Sequence, residues 1–186
     1  MYQQDFFYEH TVNRQMPGSI RVIAIISMVL AVLNGLVGLA TLVIGGVILL
    51  IPAILFGIIS YFQFQNTNMS FDYAYTNGEI DIARVTGGRK RKLVLSIFEK
   101  DIIVIAPSRT DPVAPYIGKH MPVKDCSSHV PEEKYYVMIC KDESSDHEVK
   151  VICQPGIEIL AILNRMLPSK VHLSDEDKAL AREMGL

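Results

Sequence analysis

From Val22 to Phe71 the chain carries no Asp, Glu, Lys, Arg or His, and Val22 to Phe64 is almost continuous Ile, Leu, Val, Ala and Gly. A bilayer core about 30 Å thick takes roughly 20 apolar helical residues to cross. These 43 residues are too long for one span and suit two. A helix pair buried in a soluble protein would keep a polar face, and this segment has none. A cleaved signal peptide has an apolar stretch of only about 7–15 residues, followed by a small-residue cleavage site. The segment therefore reads as a transmembrane helical hairpin.

The reversal falls between Gly38 and Gly46, in LATLVIGG, giving helices of about Ser19–Leu39 and Gly45–Phe64. Pro52 lies inside the second helix, where it removes one backbone hydrogen bond. Asn34 and Thr41 are placed to bond between the helices, and Gly35, Gly38, Gly45 and Gly46 offer close helix contact. Tyr61, Phe62 and Phe64 are placed like an interfacial aromatic belt. No ionisable group lies in the spans, so no proton relay or ion path is indicated. Arg14 and Arg21 precede the apolar run, Arg84 and Arg89–Lys92 follow it, and the turn carries no charge. By the positive-inside rule this is a multi-pass plasma-membrane protein with both termini cytoplasmic. Three cysteines, an odd number with no disulfide framework, agree with a reducing compartment.

Beyond a polar connector, residues 65–70, the pattern changes period. FDYAYT (71–76) alternates Phe71, Tyr73 and Tyr75 against Asp72, Ala74 and Thr76, the pattern of a strand with one buried face. Asn77-Gly78 then signals a hairpin, because both central residues of a type I′ turn need positive φ. EIDIARV (79–85) returns, Gly87-Gly88 make a second turn, and KLVLSIF (92–98) follows with Leu93, Leu95 and Ile97 inward. DIIVIAP (101–107), KYYVMICK (134–141) and EVKVICQ (148–154) continue the series, the last two joined by the polar turn DESSDH. The proline-rich stretch 108–122 reads as a loop or irregular crossing, with a short strand around Val123–Ser128. IEILAILNRML (157–167) is helical and stops at Pro168. The expectation is six or seven antiparallel strands closed by a C-terminal helix, as a small barrel or sandwich. In the tail, Ser174 is placed to cap a short exposed helix, with Asp177 three residues on.

That order matches the pleckstrin-homology (PH) architecture. FDYAYTNGEIDIARVTGGRKRK resembles the start of the soluble part of a small uncharacterised family of Gram-positive bacterial membrane proteins, in which a transmembrane hairpin is fused to a PH-like domain. QPGIEILAILNRMLPSKV resembles its terminal helix. The resemblance covers most of residues 1–172 and implies an α+β membrane protein, but no established activity. The divisions expected are a cytoplasmic segment 1–18, a hairpin 19–64, a linker 65–70, a PH-like domain 71–172 and a tail 173–186.

No set of residues points to catalysis. Cys126 and His129 form C-x-x-H without a second pair to complete a zinc site. His10, His120, His129, His147 and His172 are scattered, and Glu79 and Asp81 lie on the outward face of a strand. No phosphate loop, dinucleotide fingerprint or nucleophile motif is present. The sequence calls for no cofactor and no metal.

The remaining candidates are cations: Arg84 and the run Arg89-Lys90-Arg91-Lys92. Removing Arg14 and Arg21 from 18 cations and Asp5 and Glu9 from 20 carboxylates leaves 16 against 18 from Asp72 onward. Nucleic acid calls for a domain-wide basic face, so it is not an expected partner. Anionic phospholipid headgroups or a membrane protein partner fit better, since each cation near an anionic leaflet contributes about 1 kcal/mol. PH domains often carry lipid-binding cations between their first strands; here the run follows the second expected strand. The plain alternative is a solvated strand end. The function expected is a membrane-anchored, non-enzymatic binding module, the alternative an accessory subunit packing through its hairpin.

Overall fold

The computed structural model describes residues 7–15, 18–67, 69–142 and 147–186, so most of the expected 142–147 turn lies outside the described residues. The chain forms two compact units: the hairpin with its flanks, Gln15–Met69 and Thr86–Arg89, and a discontinuous unit of Met1–Arg14, Ser70–Val85 and Lys90–Leu186.

In the first unit, α1 (Gly18–Ala40) and α2 (Val47–Thr67) are joined by a 3-10 turn at Leu42–Ile44. Both helices are long and apolar enough to cross a membrane. Gly45 takes a φ of 98° at the turn, which only glycine adopts without strain. A Cβ on Gly46 would stand 2.6 Å from the Gly38 carbonyl oxygen, so the helices close on bare backbone there. The Gly35 position faces Ala53 and the Gly38 position faces Leu50. One hydrogen bond between the helices comes from Ser60, which donates to the Ala24 carbonyl at 3.1 Å. Asn34 and Thr41, expected to bond across, instead donate to Leu30 and Val37 four residues back in α1. Short polar side chains in a helix share the backbone carbonyl four residues back.

The second unit holds β1 (Phe7–Arg14), β2 (Met69–Thr76), β3 (Glu79–Thr86) and β4 (Lys90–Phe98), hydrogen-bonded in that order as one sheet. The other sheet has the order β5 (Ile102–Pro107), β7 (Tyr136–Lys141), β8 (Glu148–Cys153), β6 (Val123–Asp125). α3 (Ile157–Met166) and α4 (Asp175–Glu183) follow. Phe71, Tyr73, Tyr75, Ile80, Ile82, Leu95 and Ile97 are buried, as their alternation predicts. Asn77 and Gly78 have φ of 47° and 94°, the pair of positive values that a type I′ turn requires. Leu93, expected inward, is 56% exposed, because the buried run of β4 begins only at Leu95.

Three features depart from the sequence reading. The first is β1, in a segment where no strand was expected. Its partly buried face is Tyr8, His10, Val12 and Arg14, too polar to signal a core strand. Its contacts with β2 give the direction of pairing: Thr11 donates to Asp72 at 2.9 Å, and Arg14 lies over the Phe71 ring at 5.6 Å. As β1 advances its partner retreats, so the two strands are antiparallel, and the apolar hairpin is inserted between them. The second is that β6 pairs with β8 in parallel, Val123 opposite Lys150. Not every pairing is antiparallel. The third is the crossing 108–122, where a 3-10 segment at Asp111–Tyr116 covers one face of β5 and β7. Val113 packs there with Val104, Ala106, Val137 and Ile139, which buries β7 on both faces and erases its alternation.

The tail is packed rather than free. Ser174 accepts from the Asp177 backbone N–H, as the capping pattern predicts, and Ala181 is buried. Tyr136 donates to the Asp177 carboxylate, and its hydroxyl accepts from Ser174 N–H at 3.2 Å. Burial and that carboxylate push the Tyr136 hydroxyl up to about 12.

Candidate functional site

The basic run sits on a tight turn. Thr86 ends β3, Gly87 and Gly88 take φ of 61° and 66°, and Arg89 N–H bonds back to the Thr86 carbonyl at 3.4 Å. Two successive left-handed residues explain why glycine occupies both positions. Counting β1, the run follows the third strand, and the connection between the first two strands is the apolar hairpin itself.

Arg84, Arg89, Lys90, Arg91 and Lys92 are all exposed. They do not act alike. Arg91 reaches Glu9 at 3.8 Å and Asp72 at 3.9 Å, across the outer face of the sheet. Exposed pairs of this kind stabilise by roughly 0–1 kcal/mol; their effect is to hold the guanidinium over β1 and β2. Among the described residues no carboxylate pairs with Arg84, Arg89, Lys90 or Lys92.

A second polar site escaped the sequence reading. Arg14 Nη1 donates to the Asp125 carbonyl at 3.1 Å, and its Nη2 lies 3.6 Å from Asp125 Oδ2. His129 Nε2 stands 2.6 Å from the same carboxylate and 2.5 Å from Arg14 Nη2. One ring nitrogen cannot donate to Asp125 and accept from Arg14 together, so each tautomer satisfies one of the two contacts. Ser127 donates to Asp125 Oδ1 from both N–H (3.0 Å) and Oγ (2.8 Å). Burial would raise the Asp125 pKa, but the bonds from His129 and Ser127 outweigh it and hold the carboxyl below its ordinary value. His129 itself takes a φ of 60°, uncommon for a residue with a side chain.

This cluster borders a cleft of about 420 Å³ lined by Asp125, Ser128, His129, Glu133, Tyr135 and Gln154. Gln154 closes the cleft's hydrogen bonding: it accepts from Ser128 N–H at 2.6 Å and donates to Glu133 at 3.0 Å. Below it the buried Tyr73 hydroxyl donates to the Cys126 carbonyl at 2.7 Å and accepts from Gln154 N–H at 3.2 Å. His129 and Asp125 resemble part of a hydrolytic relay, but a relay needs a nucleophile bonded to the imidazole. The Ser127 hydroxyl turns to Asp125, and the Ser128 hydroxyl accepts from Val130 N–H. Cys126, 1% exposed, has its thiol pushed by burial up to about 11 and is a poor nucleophile. In the sequence this cluster showed only as the C-x-x-H pair of Cys126 and His129, inside the turn-forming D-C-S-S-H. Its partner Arg14, 111 residues away, carried no signal.

Among the described residues no group of three His, Cys, Asp or Glu side chains could hold a metal ion. No curated protein and no solved structure matches the chain. The family model for a bacterial PH-like domain (DUF6106) does match, over residues 4–173, a span that begins before β1 and runs through α3. The match covers most of the chain, and the chain belongs to that bacterial PH-like domain family, whose function is uncharacterised.

Proposed function

We propose that the protein is a membrane-anchored, non-enzymatic binding module: a PH-like domain held at the cytoplasmic face of the plasma membrane by a two-helix hairpin. The observation that carries this reading is the insertion of the hairpin between β1 and β2. From Val22 onward the inserted residues are charge-free, and α1 and α2 expose their apolar side chains. Only 17% and 6% of their most apolar windows are buried, where a core helix of a soluble protein would be covered. Tyr61 and Phe62, both exposed and in edge contact at 5.8 Å, suit the headgroup boundary. Two spans return both ends to one side, and Arg14, Arg21 and Arg84 favour the cytoplasm.

A PH-like fold supports binding rather than chemistry, and nothing at the Arg14–Asp125–His129 cluster supports a reaction. The partner is a protein or an anionic lipid at the inner leaflet. The accessory-subunit alternative loses the glycine face it relied on, because Gly35, Gly38 and Gly46 are turned to the hairpin's own helices. Extraction of membranes with alkaline carbonate tests the anchoring. The full chain stays in the pellet on this account, and release into the supernatant would contradict it.

A further inference from the structure

The sheet β1-β2-β3-β4 is a meander, so its connections alternate between its two ends. The two-residue and three-residue turns after β2 and β3 make those neighbours antiparallel, and the Thr11–Asp72 and Arg14–Phe71 contacts make β1 and β2 antiparallel as well. The β1–β2 connection and the β3–β4 turn therefore leave from the same end. The first connection is the apolar hairpin, and the second carries the basic run. Across the sheet β4 lies two strand spacings from β2, about 10 Å. Only residues 15–17 separate β1 from α1, and only residue 68 separates α2 from β2. Three extended residues span about 11 Å at most.

We propose that the β3–β4 turn is an anionic-lipid contact, in which Arg89, Lys90 and Lys92, with Arg84 behind them, dock on the phospholipid headgroups of the leaflet that the hairpin enters. This inference rests on the reading of the hairpin as membrane-inserted and names the partner of the same module. Three observations support it beyond topology. These four cations are exposed and lack a carboxylate partner among the described residues, although the soluble part is mildly acidic. Leu93, 56% exposed immediately after them, adds apolar surface beside the charges, the composition of an interfacial contact. The glycines of the turn project no side chain, and a Cβ at Gly88 would meet nothing within 4 Å, so the turn is open at that point. Arg91 is different: Glu9 and Asp72 already occupy it, and it fixes the strand mouth instead of reaching the lipid.

Each cation at an anionic surface shifts a docked–undocked equilibrium about fivefold. Removing three shifts it by on the order of a hundredfold, and salt screens the effect. The test uses the full chain in lipid nanodiscs with a fluorophore on Thr86→Cys and a headgroup-labelled quencher lipid; the native cysteines are buried and do not compete. The expected result is stronger quenching in discs containing phosphatidylglycerol than in phosphatidylcholine discs, reversed by salt. The triple variant Arg89→Gln, Lys90→Gln, Lys92→Gln loses it, whereas Arg91→Gln retains it. All three triple-variant positions are exposed, and circular dichroism verifies that the variant folds. Equal quenching in both lipids, or a triple variant indistinguishable from wild type, overturns the lipid contact. Carbonate extraction of the same samples reads the hairpin separately, so a failed anchor is told apart from a failed contact.

Discussion

Arg14 donates a hydrogen bond of 3.1 Å to the backbone carbonyl of Asp125, 111 residues away in the chain. That bond ties the strand entering the hairpin to the end of β6, and Arg14 also covers the Phe71 ring. Arg14→Ala removes a charged donor from a half-buried carboxylate and carbonyl, a loss of about 1–3 kcal/mol. Denaturant unfolding of the full chain in detergent measures it, with the exposed neighbour Asn13→Ala as the near-neutral control.

The same cluster sets an acid limit. Asp125 in the folded protein titrates below its ordinary 3.8. Its contribution is therefore present above that value and is lost as pH falls through the depressed folded one. Asp125→Asn is expected to destabilise by about 1–2 kcal/mol at neutral pH, with the gap to wild type closing in acid. A stability–pH series on both proteins reads this directly, and a gap that widened in acid would reverse the sign.

The three thiols act as core atoms. Burial pushes Cys140 up to about 12 and Cys126 up to about 11, and drives Cys153 well above its ordinary value. Groups raised in this way favour the folded state fully below their ordinary value of 9.0 and cease to do so as pH rises through the folded values. A thiol reagent at pH 8 should label none of them in the native protein and all three after denaturation. Alkaline titration should lower stability from about pH 9 upward.

The hairpin turn depends on Gly45, for its positive φ, and on Gly46, for close approach. A Cβ at Gly46 would lie 2.3 Å from Thr41 Oγ1 and 2.6 Å from the Gly38 carbonyl, whereas one at Gly57 would meet nothing within 4 Å. Gly46→Leu should therefore cost about 1–3 kcal/mol or more by overpacking. Gly57→Ala should be neutral or gain up to about 1 kcal/mol in helix propensity. Thermal melting in detergent separates the two.

Local chemistry was legible in the sequence. Asn77-Gly78, Gly87-Gly88, the Ser174 cap and the charge-free run each carry their cause within a few residues. What the residues did not reveal depends on distant partners. β1 pairs with a strand more than 50 residues on, across the hairpin, and its inward face of Tyr8, His10, Val12 and Arg14 has no apolar alternation. β7 looked like a continuous apolar run because Val113, inside a proline-rich crossing, covers its second face. The basic run was visible at once. Which of its cations is held, and which are available, depended on Glu9 and Asp72 in two other strands.

An apolar hairpin that spans the bilayer from within the PH-like domain would leave that domain wholly on one side. Single cysteines at Val43, 100% exposed in the hairpin turn, and at Met166, 58% exposed at the end of α3, report the two sides. Labelling with a membrane-impermeant maleimide in intact cells is the most direct measurement. The expected result is that Val43→Cys is modified in intact cells and Met166→Cys only after permeabilisation. Modification of Met166→Cys in intact cells, or of neither residue until the membrane is opened, would contradict it.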